Sequence, residues 1–404
     1  MFSAQDHQHM AAAMRLAGRG LFTTHPNPRV GCVIARGDRV LGQGFHVRAG
    51  EPHAEVHALR EAGEAARGAT AYVTLEPCAH HGRTPPCADA LVRAGVTRVV
   101  VACLDANPLV AGQGVARLQA AGITVDAGLL RDQAEALNAG FLRRMRGGLP
   151  WLRAKVASSL DGRTAMASGE SQWITGTEAR RDVQRWRAAS SALITGIGTI
   201  LADDPGLIVR PGDWLDARPL CPDRDDAPES WSPADVRQPL RVILDTELRL
   251  PLTARVLHLP GDTLVVTCGE LLRSGDDLVA ALSGTDPVRA ERARALAAAG
   301  AQLLAVPADA AGRPDPVAVL QELAARGHSE VLLEAGPTLV GAFLQAAVVD
   351  EVVLYQAPML LGSEARPLAS LPLQRMAESL RFRVADQRFV GSDVRWLLRP
   401  QPVE

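Results

Sequence analysis

Short apolar runs rich in β-branched residues alternate with amphipathic stretches along this chain, and no other feature limits its fold as much. In the first 150 residues the strand-like runs are Val30 to Ala35, Arg39 to Phe45, Ala71 to Leu75 and Thr97 to Leu104. Helical patterning covers residues 6–18, 54–66, Cys87 to Ala94 and Val115 to Ala121. Gly37-Asp38 reads as a hairpin turn between the first two strands. Such alternation predicts a sheet covered by helices, an α/β sandwich. The pattern breaks at Arg143-Arg144-Met145-Arg146-Gly147-Gly148-Leu149-Pro150, where charge, two glycines and a proline mark a linker or tight connection. A second α/β set follows, with strands expected at 151–157, 191–195, 241–245, 263–267, 331–334 and 351–355 and helices at 177–189, 288–299, 316–326 and 337–347. Residues 211–239, rich in Pro, Asp and Trp without periodicity, read as a long surface loop. A chain of 404 residues exceeds one ordinary core, so two domains are expected, 1–148 and 149–404.

Charge narrows the function. Net charge is −2 and no basic block stands out, which argues against a groove that tracks nucleic-acid phosphates and leaves room for small anionic substrates. No apolar run is long enough to span a bilayer. Met1 to His7 lacks a basic region followed by an apolar stretch, so a cytoplasmic protein is expected. In a reducing compartment the six cysteines point to ligation or burial rather than disulfides. Cys32 and Cys103 sit in apolar strand runs and are expected to be buried and inert. The chain carries 42 arginines and one lysine, Lys155.

The chemistry of the first half is concentrated in Pro52-His53-Ala54-Glu55, opening a helix, and in Glu76-Pro77-Cys78 with Cys87. One His and two thiolates give three protein ligands to tetrahedral zinc and leave a fourth position for water, whose pKa the metal lowers toward neutrality. Cys87 lies at a helix N-terminus, which favours the thiolate. Glu55, two residues from His53, can move the water's proton to a ring nitrogen and to departing ammonia. This is the signature of the zinc deaminases. A closed structural zinc site would need a fourth ligand, and His57, His80 and His81 are close in sequence, so that alternative stays open here.

These motifs resemble a known family. The run His25-Pro26-Asn27-Pro28-Arg29-Val30-Gly31-Cys32-Val33, the His53-Ala54-Glu55 box and the long Cys78-to-Cys87 loop resemble the bifunctional riboflavin-biosynthesis deaminase/reductases. So do Ala157-Ser158-Ser159-Leu160-Asp161-Gly162-Arg163, Ser168 through Ile174, Leu201-Ala202-Asp203-Asp204-Pro205 and Glu334-Ala335-Gly336-Pro337-Thr338. The resemblance covers nearly the whole chain. It implies a cytidine-deaminase-like α/β sandwich followed by a dihydrofolate-reductase-like α/β domain. It also implies two reactions: zinc-dependent deamination of a 2,5-diamino-6-(phosphoribosylamino)pyrimidinone, then NADPH-dependent reduction of the ribosyl unit to ribityl. The implied substrate contacts in the first half are Asn27, His46, Arg83 and Thr84. Asn27 can read a pyrimidine edge with donor and acceptor, and the other three suit a phosphate. Asp105-Ala106-Asn107-Pro108 departs from the family's usual proline after the Asp, and the 211–239 loop is longer than usual. A homo-oligomer formed through the reductase half is expected.

In the second half, Glu330 to Leu339 reads as strand, tight turn and helix, a phosphate-binding arrangement that is common on its own. No G-x-G-x-x-G fingerprint opens this half, which disfavours a Rossmann domain. The resemblance implies NADPH contacts at Ala157, Trp173, Thr199, Asp203, Gly336, Pro337, Thr338, Leu339, Val340, Gly341 and Ala342. It implies substrate contacts at Ser171, Arg187, Leu207, Arg210 and Glu334. Lys155 shares a strand face with Ala157, and an ammonium can protonate the ribose ring oxygen as hydride arrives, which guanidinium does poorly. Lys155 is therefore expected to be catalytic, alongside Glu55. Two other readings remain at this level: a nucleobase or nucleic-acid deaminase, and a C-terminal half that is only a ligand-binding or dimerisation module.

Overall fold

Gly31–Arg36 (β1) and Arg39–Phe45 (β2) form the hairpin that the Gly37-Asp38 turn predicts, with Gly37 at positive φ. They belong to a computed structural model that describes residues 1–79, 86–108, 111–213 and 236–401. The described residues divide into two compact units, one spanning Met1–Leu149 and the other beginning at Pro150.

In the first unit, Thr70–Val73 (β3), Arg98–Val101 (β4) and Thr124–Ala127 (β5) join the hairpin in the order β2-β1-β3-β4-β5. The hairpin is antiparallel, and β3, β4 and β5 are parallel. Strand side chains alternate, so the apolar runs feed two cores at once. Cys32, Ile34, Ala71, Val73, Val99 and Val101 pack against helices Ala54–Ala62, Cys87–Ala94 and Gln113–Ala120. Val33, Ala35, Tyr72 and Val100 pack against helices Ala4–Gly18 and Ala139–Gly147. Cys32 and Cys103 are buried, as expected. The segment read as a linker is largely helical: Arg143 to Gly147 close the helix Ala139–Gly147, and only Gly148, at φ 69°, turns the chain. Glycine reaches that left-handed geometry without a Cβ penalty and ends the helix as a cap. The 54–66 helix likewise ends early, at Ala62, with one 3-10 turn over Gly63–Ala66.

The second unit contains Trp151–Ser159 (β6), Arg163–Ala165 (β7), Ala192–Gly196 (β8), Leu240–Leu244 (β9), Thr263–Cys268 (β10) and Gln302–Val306 (β11). Glu330–Leu333 (β12), Glu351–Ala357 (β13), Arg366–Pro367 (β14), Phe382–Val390 (β15) and Asp393–Pro400 (β16) complete its strands. Nine of these form one sheet, β11-β10-β9-β8-β12-β6-β13-β16-β15. It is parallel from β11 to β13 and antiparallel beyond. The pair β7–β14 stands apart as a small ribbon. β12 lies between β6 and β8, so the chain winds both ways from the middle of the sheet. In open parallel sheets such a reversal opens a crevice at the carboxyl ends of the strands. The sequence reading missed β5, β7, β11, β14, β15 and β16. β15 carries Arg383, Asp386, Gln387 and Arg388 and gives little apolar signal; cross-strand pairing with β16 makes it a strand. Of the 211–239 loop, residues 214–235 lie outside the described residues. Among the described residues no helix is long and apolar enough to cross a membrane.

Candidate active sites

His53 is the N-cap of helix Ala54–Ala62, and Cys87 is the first residue of helix Cys87–Ala94. The two helix starts converge on Cys78. Cys87 Sγ lies 3.3 Å and Cys78 Sγ 3.6 Å from His53 Nδ1, and all three candidate ligand atoms fall within 4.8 Å of one another. A tetrahedral zinc ion with its usual bond lengths would hold nitrogen and sulfur about 3.6 Å apart. The donor set and its spacing therefore fit zinc, with Nδ1 as the His53 donor. Contact with Cys87, and then His53, draws the Cys78 thiol down to about 4. The backbone N–H of Cys87 also donates to Cys78 Sγ, at 3.4 Å. Among the described residues the cluster has these three members; His57 is not one of them, and His80 and His81 lie outside the described residues.

Glu55 is the second residue of helix Ala54–Ala62 and is buried, with Oε2 lacking any hydrogen-bond partner among the described residues. Burial raises its pKa. A buried carboxyl oxygen left unsatisfied in a protein is costly unless something else uses it. Asn27 Nδ2 donates to His46 Nε2 at 3.0 Å, and His46 Nδ1 faces the Pro52 carbonyl at 3.2 Å. His46 is 2% exposed and burial lowers its pKa, so it is a neutral imidazole that donates from Nδ1 and accepts at Nε2. Both His46 nitrogens are engaged here, so the phosphate contact expected of His46 would need one of these bonds to give way. Arg83 and Thr84 lie outside the described residues.

Two supports of this site carry no periodic signal, and the sequence reading missed them. The buried Glu76 carboxylate accepts backbone N–H bonds from Asp105 (3.2 Å), Gly112 (3.0 Å), Gly114 (2.9 Å) and Val115 (3.1 Å). It thereby ties the Pro77-Cys78 turn to the start of helix Gln113–Ala120. Gly114 passes so close that a Cβ there would lie 1.9 Å from the Pro77 carbonyl oxygen. The Glu before Pro77-Cys78 and the glycine were both visible in sequence, but nothing there said that they meet.

In the second unit a cleft of about 910 Å³ opens over the carboxyl ends of β6, β12, β8 and β9. Lys155, Ala157, Ser171, Trp173, Thr199, Asp203, Leu207, Glu334, Gly336, Pro337, Thr338, Leu339 and Ala342 all line it. Lys155 and Ala157 share its wall, as strand alternation requires. Burial lowers the Lys155 pKa, with Glu334 opposing and Arg187 adding to the effect. Burial works to raise the Glu334 pKa, but the Arg187 guanidinium holds it below the usual value. That pair is bidentate, Nε to Oε1 at 2.6 Å and Nη2 to Oε2 at 2.9 Å, while Nη1 donates to the Ile208 carbonyl. Four expected contacts are not on the cleft wall. Arg187 stands behind Glu334 and Arg210 pairs with Asp213. Val340 is buried, and Gly341 lies against the Ser370 backbone, where a Cβ would meet the Ser370 carbonyl oxygen at 2.1 Å. The first turn of helix Pro337–Gln345 faces the cleft end-on through Pro337, Thr338 and Leu339, and beyond it only Ala342 lines the wall. The N-terminus of that helix has no side-chain cap, which leaves its first N–H groups for an anion and fits a dinucleotide diphosphate.

Comparison with known proteins agrees with both sites. Residues 3–103 match the cytidine and deoxycytidylate deaminase zinc-binding region, and residues 150–395 match the RibD C-terminal domain. Riboflavin biosynthesis protein RibD of Escherichia coli is 49% identical over 96% of this chain and 98% of its own; that of Haemophilus influenzae is 42% identical over 100% and 99%. Among solved structures, Acinetobacter baumannii RibD superimposes with a TM-score of 0.84 at 48% identity, covering 98% of this chain and 99% of that one. A Thermotoga maritima diaminohydroxyphosphoribosylaminopyrimidine deaminase/5-amino-6-(5-phosphoribosylamino)uracil reductase gives 0.78 at 30%, again covering 98% and 99%. The chain therefore belongs to the RibD family of riboflavin biosynthesis, bifunctional enzymes that join a zinc-binding deaminase to an NADPH-dependent reductase.

Proposed function

We propose that residues 1–148 deaminate 2,5-diamino-6-(5-phosphoribosylamino)pyrimidin-4-one and that residues 149–404 reduce the ribosyl unit of the product. The observation that carries the first half is the convergence of His53, Cys78 and Cys87 beside the unpartnered, buried Oε2 of Glu55. Zinc, when bound by those three residues, supplies activated water at neutral pH. Glu55 would take the water's proton on Oε2 and pass it to the ring nitrogen, then carry a second proton, from the added hydroxyl, to the leaving amine. Its raised pKa suits a group that must hold a proton in mid-reaction. Asn27, oriented by His46, reads the pyrimidine edge. Arg83 and Thr84 are proposed for the phosphate.

For the second half, NADPH, when bound across Ala157, Trp173, Thr199, Asp203 and the Gly336–Leu339 turn, supplies a hydride. Lys155 donates a proton to the ribose ring oxygen as the ring opens, and a pKa lowered by burial makes it a readier donor. Ser171, Leu207 and Glu334 line the substrate end. Arg187 acts by fixing the Glu334 carboxylate rather than by touching substrate. Arg210, paired with Asp213, is kept as a proposed substrate contact. We place the enzyme in the cytoplasm, where NADPH is supplied and zinc thiolates stay reduced, and infer a homo-oligomer formed through the reductase half.

Incubating the full chain with the diaminopyrimidine phosphate, with and without NADPH, tests this reading by mass spectrometry. Without NADPH, the expected product has one amino group exchanged for oxygen; with it, that product gains two hydrogens. Recovery of unchanged substrate from zinc-loaded protein would overturn the assignment.

A further inference from the structure

After helix Ile197–Asp203 the chain runs through Leu207, Ile208, Val209 and Arg210, a segment that belongs to no sheet. Its burial nevertheless alternates as along a strand: Leu207 and Val209 are buried, Ile208 is half-buried and Arg210 is exposed. A segment without a sheet must satisfy its backbone groups some other way. Here side chains take the place of neighbouring strands. Gln238 Oε1 accepts the Val209 N–H at 2.8 Å, and Gln238 Nε2 donates to the Val209 carbonyl at 2.9 Å. Gln184 Oε1 accepts the Arg210 N–H at 2.9 Å, and Arg187 Nη1 donates to the Ile208 carbonyl at 3.1 Å. In a strand, the N–H and C=O of one residue face one edge, and the flanking C=O and N–H face the other. The four bonds follow that rule. Gln238 takes one edge, while Gln184 and Arg187, three residues apart on helix Thr177–Ala189, take the other.

We propose that Gln238 and Gln184 are positioning residues for the reductase substrate, clamping this segment in the one form that presents Leu207 to the substrate end of the cleft. The proposal rests on the reading of Leu207 and Arg210 as substrate contacts.

The backbone shows why a clamp is needed. Leu207 has φ 45°, in the left-handed region where a leucine is strained. Such a conformation persists only where the surroundings over-determine it. Leu207 is held from one side by the buried cluster that includes Ile197, Ile200 and Leu248, and it still lines the cleft. Its other support is the clamp on the next three residues. The clamp is itself rigid. Gln184 is 2% exposed, and a primary amide is costly to bury unless its bonds are used. Gln238 is half-buried and packed so that a Cβ on Gly261 would stand 3.0 Å from its own Cβ. The guanidinium that grips Ile208 also grips Glu334. The segment and the Glu334 carboxylate therefore share one anchor, which fixes two parts of the substrate end relative to each other.

The test is steady-state kinetics of the full chain with deaminated substrate and NADPH, alongside calorimetric titration with NADP+, which binds without turnover. Gln238→Met keeps the length of the side chain and loses both bonds. KM for the deaminated substrate should rise about tenfold, with kcat within about twofold of the parent. Gln238→Glu keeps the shape but sets a carboxylate oxygen against the Val209 carbonyl, so KM should rise there too, which a space-filling role would not produce. Gln184→Met loses one bond, and KM should rise about threefold. NADP+ affinity should stay at the parent level in all three variants. Parent-like KM in both Gln238 variants would overturn the clamp while leaving the cleft a substrate site. Equal loss of NADP+ and substrate affinity would make Gln238 a support of the fold at large and overturn its positioning role. A parent chain that does not oxidise NADPH with the deaminated substrate would overturn the reading of the cleft, and the clamp with it.

Discussion

The two active sites are built in different ways. In the first unit the chemistry lies in a few side chains whose identity is nearly irreplaceable: one imidazole, two thiols and a carboxyl, carried on two helix starts and a turn. In the second unit most of the site is backbone and shape, a crevice where the winding of a parallel sheet reverses, with Lys155 and Glu334 as half-buried charges on its wall. A site of the first kind announces itself by residue type and spacing. A site of the second kind depends on which strand ends lie side by side, and its motifs, such as strand–Gly–helix, recur in proteins that bind nothing there.

The comparison can be broken experimentally. The largest effect should come from Glu55→Gln, which removes the proton carrier but keeps the ligand set. Metal analysis should still find zinc, and deamination should fall by about a thousandfold, with NADPH oxidation on supplied deaminated substrate unaltered. Loss of zinc in this variant would make Glu55 a ligand instead.

Next in size is Lys155→Arg, expected to cost about a hundredfold in reductase rate while deaminase activity stays at the parent level. The pH profile sharpens this. Burial lowers the Lys155 pKa, so the protonated donor is lost at lower pH than for an ordinary lysine. Reductase rate should therefore fall as pH rises through that lowered pKa, and the fall should vanish in Lys155→Arg. A parent-like rate in the variant would make the lone lysine an accident of composition.

Gly114→Ala should affect stability more than chemistry. Its Cβ would sit 1.9 Å from the Pro77 carbonyl oxygen, so the ligand turn must shift. We expect about 2 kcal/mol lost from the first unit and weaker zinc retention against a chelator, with an unchanged reductase. Unaltered zinc retention would show that the Glu76–Gly114 contact does not position Cys78.

The smallest effect should be Asp6→Asn. Asp6 accepts from Arg98 Nη1 at 2.7 Å and from the Tyr72 hydroxyl at 2.8 Å. Burial opposes its charge, but those bonds hold its pKa well below the usual carboxylate range, while the Tyr72 pKa is pushed up to about 12, chiefly by burial. A depressed carboxylate pKa stabilises the fold above the ordinary value, and that contribution disappears as pH falls. Asp6→Asn should cost about 1–2 kcal/mol at neutral pH, and its stability should converge with the parent's in acid. A constant difference across that range would remove the charge from the explanation.

By itself the sequence determined the α/β class, the β1–β2 hairpin, the parallel strands that read as continuous apolar runs and the His53, Cys78 and Cys87 set that the fold brings together. These depend on periodicity and on residue types that few other roles demand. Only the tertiary structure decided what depends on contacts between distant positions. It ended the first unit with a helix capped by Gly148, where charge and glycine suggested a linker. It buried His46 behind Asn27, set Arg187 behind Glu334, and turned Val340 and Gly341 away from the cleft. It made a strand of the polar segment Phe382–Val390, because its backbone pairs with β16. A side chain's chemistry is local and can be read in order along the chain. Its direction and its partners are set by packing, which sums over residues that the sequence leaves far apart.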